Sequence, residues 1–213
     1  MTVVVTGYEP FGELDTNPTA HVAAELDGET VAGESVVGAV LPVAFDSVTD
    51  RLESLLAEHD PTVFVSTGVA RGSAAVRIER VGVNVADAVT TPDNVGADPR
   101  NERLADGPAA YFSTLPVESV VTDLLDEGIP ACLSNTAGTH LCNDALYTVR
   151  HAVERDDRET RSGFVHLPFS PSLAAAAARE NEATRGGSVP PSMALTTQTR
   201  AVRLAIETTL GSM

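Results

Sequence analysis

Short β-branched runs that end in glycine, each followed by a stretch of helical periodicity, constrain this chain more than any other feature. VVVTG at 3–7 and TVFVSTG at 62–68 are the plainest cases. Consecutive apolar residues over so short a span suit a strand buried on both faces, and such strands belong to parallel sheets covered by helices. After the first run a loop closes at Asn17-Pro18, and PTAHVAAEL reads as a helix with proline just inside its start. VVGAVLPV is a second apolar run; the helix after it, at about residues 46 to 58, places Val48, Leu52, Leu55 and Leu56 on one face. Residues 76–85, VRIERVGVNV, alternate apolar and polar positions with a phase shift at Arg80-Val81, and read as one strand with an irregularity. Proline, aspartate, asparagine and glycine crowd residues 87–107, which marks a long loop of the kind that often carries function. VESVVTDLLDEG then reads as a helix stopped by Gly128, ACLSN as a buried strand, LCNDALYTVRHAVER as a helix and GFVHLPF as a final strand. Two helical stretches, one from Leu173 and one from about Met193 to Leu210, close the chain.

This alternation predicts a single-domain three-layer α/β/α sandwich around a mostly parallel twisted sheet, spanning residues 1–213. A chain of that length with 43% hydrophobic residues can bury one sizeable core. The site of such a sheet is expected at the carboxyl ends of its strands.

Charge narrows the partners. Fourteen basic residues face thirty acidic ones, a net charge of −16, and every basic residue is arginine. Phosphate contacts need a basic patch, so neither nucleic acid nor an anionic membrane is expected to bind. No stretch approaches the roughly 20 apolar residues of a membrane span. The N-terminal MTVVVTG turns directly into glycine and charge, unlike a secretory signal, so the expected compartment is the cytoplasm. A dense acidic coat without lysine's apolar stems suits hydration in concentrated salt, where charge repulsion is screened within about 3 Å at 1 M; a halophilic cytoplasm is the corresponding expectation. No CxxC, HxxH or HExxH spacing occurs, so no metal site is expected, and Cys132 and Cys142 are expected to be thiols in a reducing compartment.

Three residues stand out as chemistry. Cys142 lies in the first turn of a predicted helix, where unpaired N–H groups and the positive dipole end favour a thiolate; the competing reading is a small core residue. Cys132, inside an apolar run, keeps that core reading. His166 closes a predicted strand just before proline, where an imidazole can exchange protons at the sheet's edge or simply be a hydrogen-bonded structural residue. Glu79 sits among β-branched residues, where a carboxylate needs a partner: a histidine, as in a nucleophile–base–acid triad, or a salt bridge to Arg77 or Arg80.

TGYEPFG with Asn17-Pro18, IERVGVN around Glu79, PDNVG at 92–96, SNTAGTHLCNDALY around Cys142, GFVHLPF around His166 and PSMAL near the C-terminus together resemble the successive signatures of the pyroglutamyl peptidase I family. The resemblance covers nearly the whole chain, and the order Glu, Cys, His agrees. It implies a cysteine peptidase that removes N-terminal 5-oxoproline from peptides without a cofactor, with Cys142 as nucleophile, His166 as base and then acid, and Glu79 orienting the imidazole. It further implies substrate contacts from Tyr8, Phe11, Asn17, Val69, His140 and Leu141, with Tyr8 and Phe11 flanking the lactam ring. Backbone N–H groups at the helix start, including that of Cys142, are the natural donors to an oxyanion. Relatives commonly form homo-oligomers, which implies a dimer or tetramer here. Three positions depart from the pattern. Tyr8 replaces phenylalanine, Val69 replaces the glutamine of a GQAGGR-like loop that reads GVARGS here, and Val89 replaces the arginine of a DARIPDN-like segment. Arg71 and Arg77 are candidates to replace that positive charge. The departures leave open a homologue of low activity, or one that only binds a lactam or small amide. A nucleoside phosphorylase of similar architecture would need phosphate-binding features that the sequence lacks.

Overall fold

A computed structural model describes residues 1–12, 14–89 and 91–213. In chain order the elements are β1 (Thr2–Tyr8), α1 (Pro18–Leu26), β2 (Thr30–Val31), β3 (Glu34–Leu41), α2 (Phe45–His59), β4 (Val63–Val69), β5 (Val76–Glu79), β6 (Val81–Val83) and β7 (Ala110–Phe112). They continue as α3 (Val117–Asp126), β8 (Ala131–Ser134), α4 (Leu141–Arg155), β9 (Arg161–Leu167), α5 (Pro171–Glu180) and α6 (Leu195–Gly211). Seven strands form one sheet in the order β2-β3-β1-β4-β9-β5-β8, while β6 and β7 pair separately. β3, β1, β4 and β9 run parallel; β2 and the pair β5–β8 run against them.

The central strands are apolar on both faces because both faces are covered. On one side Val22 and Leu26 of α1, Val120 and Leu124 of α3, and Ala201 to Ile206 of α6 pack against Val3, Val5, Val63, Val65 and Val165. On the other, Val48 to Leu56 of α2 and Ala145 to Val153 of α4 pack against Val4, Phe64 and Phe164. The predicted three-layer sandwich with a mostly parallel sheet is therefore the observed one.

Two expectations need correction. VRIERVGVNV is not one irregular strand: the phase shift at Arg80 separates β5 in the main sheet from β6 in the small one, and each half keeps its own alternation. ACLSN is not a buried strand. β8 is the sheet's last strand, and Cys132 on it is exposed, not a core residue, because no further strand lies beyond.

The separation at Arg80 serves α4. Asn143 is fully buried and clamps the helix start to β6: its Oδ1 accepts from the Val83 N–H at 2.8 Å, and its Nδ2 donates to the carbonyls of Val83 and Val85, both at 2.9 Å. Replacing it takes this partner from the Val83 N–H and the Val85 carbonyl and leaves the Val83 carbonyl the Val85 N–H at 2.8 Å. Asn143→Ala is expected to lower the unfolding free energy by about 3 kcal/mol in a denaturant titration, with Asn143→Asp similarly destabilised. A change within about 0.5 kcal/mol would contradict the clamp.

Candidate active site

The parallel strands β1, β4 and β9 deliver their carboxyl ends to the same edge of the sheet, and the start of α4 lies across them. Gly68 near the end of β4 is paired in register with His166 of β9. A Cβ on Gly68 would stand 2.7 Å from the Cys142 sulfur and 2.7 Å from Cζ of Phe164. Only a residue without a side chain lets the sulfur settle onto the sheet here. Gly68→Ala should therefore displace the thiol and cost roughly 100-fold in kcat/KM. Activity within threefold of the native protein would exclude that role for the glycine.

His166 is 7% exposed, and its Nδ1 donates to Oε1 of Glu79 at 2.7 Å, which leaves Nε2 for the sulfur side. Glu79 has no exposed surface, and its Oε2 finds no protein partner among the described residues. Arg77 completes the carboxylate's surroundings, with Nε 3.7 Å from Oε1 and Nη2 donating to Ser134 Oγ at 2.7 Å. Histidine and arginine thus share the Glu79 carboxylate; Arg80 turns instead to Asn135. Burial alone would push the His166 imidazole down, but the charge and hydrogen bond of Cys142, together with those of Glu79, outweigh it and raise the ring to about 9. Both neighbours thus favour the protonated ring.

The helix start supplies donors. His140 is the N-cap residue and, among the described residues, no side chain caps the turn, so the N–H groups of Leu141 and Cys142 lie in the first turn without intrahelical acceptors. The approach runs through Gly138, held at φ +80°, a left-handed conformation that favours glycine.

Beside the sulfur opens a cavity of about 670 Å³ lined by Tyr8, Phe11, Asn17, Val69, His140 and Leu141. All six predicted contact residues therefore lie on one cavity with Cys142, and Glu79 and His166 stand behind it. The Tyr8 hydroxyl donates to the Leu141 carbonyl at 2.7 Å, so the added oxygen is satisfied by the helix start; burial first, then the nearby charges of Cys142 and Asp144, keep that phenol protonated. His140 packs against Phe11 and Phe45 with ring centroids 5.2 and 4.8 Å away, and its Nε2 lies 3.0 Å from the Thr91 carbonyl. Burial lowers the His140 pKa, which favours the neutral ring that donates to this carbonyl. The Asn17 amide is committed to structure: Oδ1 accepts from the Thr19 N–H and hydroxyl, and Nδ2 donates to the Glu9 carbonyl.

The sequence reading missed Val43, Ala88 and Thr91 as lining residues, as well as the knot that holds the walls together. In that knot Asn94 Nδ2 donates to Glu9 Oε1 and the Pro10 carbonyl, the Val43 N–H donates to the same Glu9 oxygen, and Asp93 accepts from the N–H groups of Phe45, Val95 and Ala97. PDNVG was visible as a motif, but its bonding to two distant segments leaves no trace in periodicity. Arg71 also lines the cavity, whereas Val89, the third departure, lies on its rim and is 59% exposed. Among the described residues no cluster of three or more His, Cys, Asp or Glu side chains is placed to hold a metal, and no helix is long and apolar enough to cross a membrane.

A buried glutamate–histidine pair facing a cysteine at a helix start, on an α/β sandwich, defines the class as a cysteine peptidase. The profile of the pyroglutamyl peptidase family matches residues 1–212, and the chain belongs to that family. It is 40% identical to the pyrrolidone-carboxylate peptidase of Pyrococcus furiosus over the whole of both chains. It is 41% identical to pyrrolidone-carboxylate peptidase 1 of Ralstonia nicotianae over 98% of this chain and 93% of that one. Among solved structures, a mutant pyrrolidone carboxyl peptidase from P. furiosus superposes with a TM-score of 0.94 at 39% identity, covering all of both chains. The pyrrolidone carboxyl peptidase of Thermococcus litoralis does so with 0.92 at 35% identity, covering 99% of this chain and 93% of that one. Relatives this similar over this much of the chain do not favour the merely lactam-binding alternative.

The raised imidazole has a consequence for stability. A proton held more tightly in the folded state stabilises it fully below the ordinary histidine value of 6.5, and that contribution fades as pH rises through about 9. In denaturant titrations between about pH 6 and pH 10, the native protein should lose stability relative to His166→Gln across this window. A constant or widening advantage would show that His166 is not held protonated.

Proposed function

We propose that Cys142, His166 and Glu79 form the catalytic row of a peptidase that removes pyroglutamate from peptide N-termini. The observation that carries this reading is the 2.7 Å bond from His166 to a fully buried Glu79, with the Cys142 sulfur seated over Gly68 beside the ring. The thiolate attacks the carbonyl carbon that joins pyroglutamate to the next residue, and the oxyanion is met by the N–H groups at the start of α4. The C–N bond breaks, the leaving nitrogen takes a proton from His166, and a thioester remains. Water then gives His166 a proton and attacks the thioester, releasing free pyroglutamate and the thiolate. No electron leaves the system and no further group is required. The lactam ring fits between Tyr8 and Phe11, with His140, Leu141, Asn17 and Val69 completing the walls; a planar ring against aromatic faces suits that geometry.

The setting proposed for this activity is the cytoplasm of a salt-adapted cell, supported by the −16 charge and the absence of lysine. Assembly as a homo-oligomer, a dimer or tetramer, is proposed by analogy with the family.

Release of aminomethylcoumarin from its pyroglutamyl conjugate tests the chemistry. Cys142→Ser should lower the rate roughly 10³-fold or more, while Cys132→Ser should stay near native. Because Cys132 is exposed, the Cys132→Ser background also lets alkylation be followed at Cys142 alone, and loss of activity should track that label one for one. An active Cys142→Ser protein would overturn the assignment. Raising KCl from low to molar concentration should maintain or increase activity; a steady fall would refute the salt-adapted setting.

A further inference from the structure

The strands under the cavity divide a substrate at the sulfur. β1 leads to Tyr8 and Phe11 on one side, β4 runs beneath Cys142, and β9 carries His166 on the other. The inner part of the cavity is closed, with Tyr8, Val43, Ala88 and Leu141 only 4%, 3%, 3% and 2% exposed. Its mouth, at Gly12, Arg71 and Val89, is exposed. Pyroglutamate is the first residue of a peptide, so the ring takes the inner part and the remaining chain has to leave through the mouth. The leaving nitrogen also has to meet His166, which directs it over the ends of β4 and β9. The residues that follow β4 are Ala70 and Arg71.

Arg71 is the one side chain with a permanent charge among the described residues that line the cavity. Its Nη2 lies 3.7 Å from where a Cβ on Gly12 would stand, so the guanidinium reaches across the mouth toward the loop after β1. The chain as a whole, with thirty acidic residues against fourteen basic ones, repels anions. A cation at the exit is the point where a carboxylate on the leaving peptide gains attraction.

We infer that Arg71 is a specificity-determining residue that favours leaving peptides with a carboxylate within a residue or two of the scissile bond. The carboxylate is either the α-carboxylate of a very short peptide or an acidic side chain. This inference rests on the peptidase reading above. Two substrate pairs separate the sources: pyroglutamyl-alanine against its amide, and pyroglutamyl-glutamate amide against pyroglutamyl-glutamine amide. Rates are compared at the lowest KCl concentration that preserves the native circular dichroism. In at least one pair the charged member should be favoured in kcat/KM by about two- to fivefold, the range of an exposed ion pair. That ratio should fall to about one in Arg71→Gln, invert in Arg71→Glu and shrink in molar KCl. Preference in the first pair alone identifies the α-carboxylate, and preference in the second alone the acidic side chain. Ratios of one in both pairs for the native protein, or a preference that survives in Arg71→Gln, would overturn the inference. Failure to cleave any of the four, or the neutral coumarin conjugate, would instead sink the peptidase reading itself and Arg71's role with it.

Discussion

The structure of the site depends on placing a carboxylate where water cannot reach it. Glu79 has no exposed surface, and a buried carboxylate without partners would cost several kcal/mol. The sheet solves this by running β5 against β9, which brings Glu79 beside Phe164 and its carboxylate within reach of the His166 ring. A strictly parallel strand at that position would carry its residues past His166 in the other direction. The pair β5–β8, parallel to each other but antiparallel to β9, is thus part of what shapes the site. Arg77, which faces His166 in register, adds a second cationic neighbour to the same oxygen and ties it through Ser134 to the segment leading into α4.

From that carboxylate the arrangement extends outward by contact. Glu79 sets the ring, the ring meets the sulfur, and the sulfur needs the gap left by Gly68. The position of the sulfur depends in turn on where α4 begins, which the Asn143 clamp to β6 decides. The break at Arg80, a flaw in a single strand when judged by pattern, frees β6 to leave the main sheet and receive that clamp.

Much of this was legible in the sequence because burial writes itself into composition. The runs at β1 and β4 and the faces of α2 and α4 have periods of consecutive or helical spacing, and α4 begins and ends where its pattern does. Cys142, His166 and Glu79 were each ambiguous alone and became a set only through the order of several motifs. What pattern could not show was position within the sheet. ACLSN is apolar enough for a central strand, yet it lies at the edge, and Cys132 is exposed as a result. Nor could pattern show that the Asn17 amide is spent on capping α1, or that the Tyr8 hydroxyl finds its acceptor 133 residues away. Those depend on tertiary neighbours that local spacing does not encode.

The bonds among Glu9, Val43 and Asn94 join the segment after β1, the connection between β3 and α2 and the long irregular stretch before β7 at a single carboxylate oxygen. Three irregular stretches of chain are thereby braced like the legs of a tripod, and the recess between them is held in shape before any guest arrives. Preformed recesses of this kind spend little ordering entropy on capture, so more of the contact energy remains for discriminating one small planar ring from another.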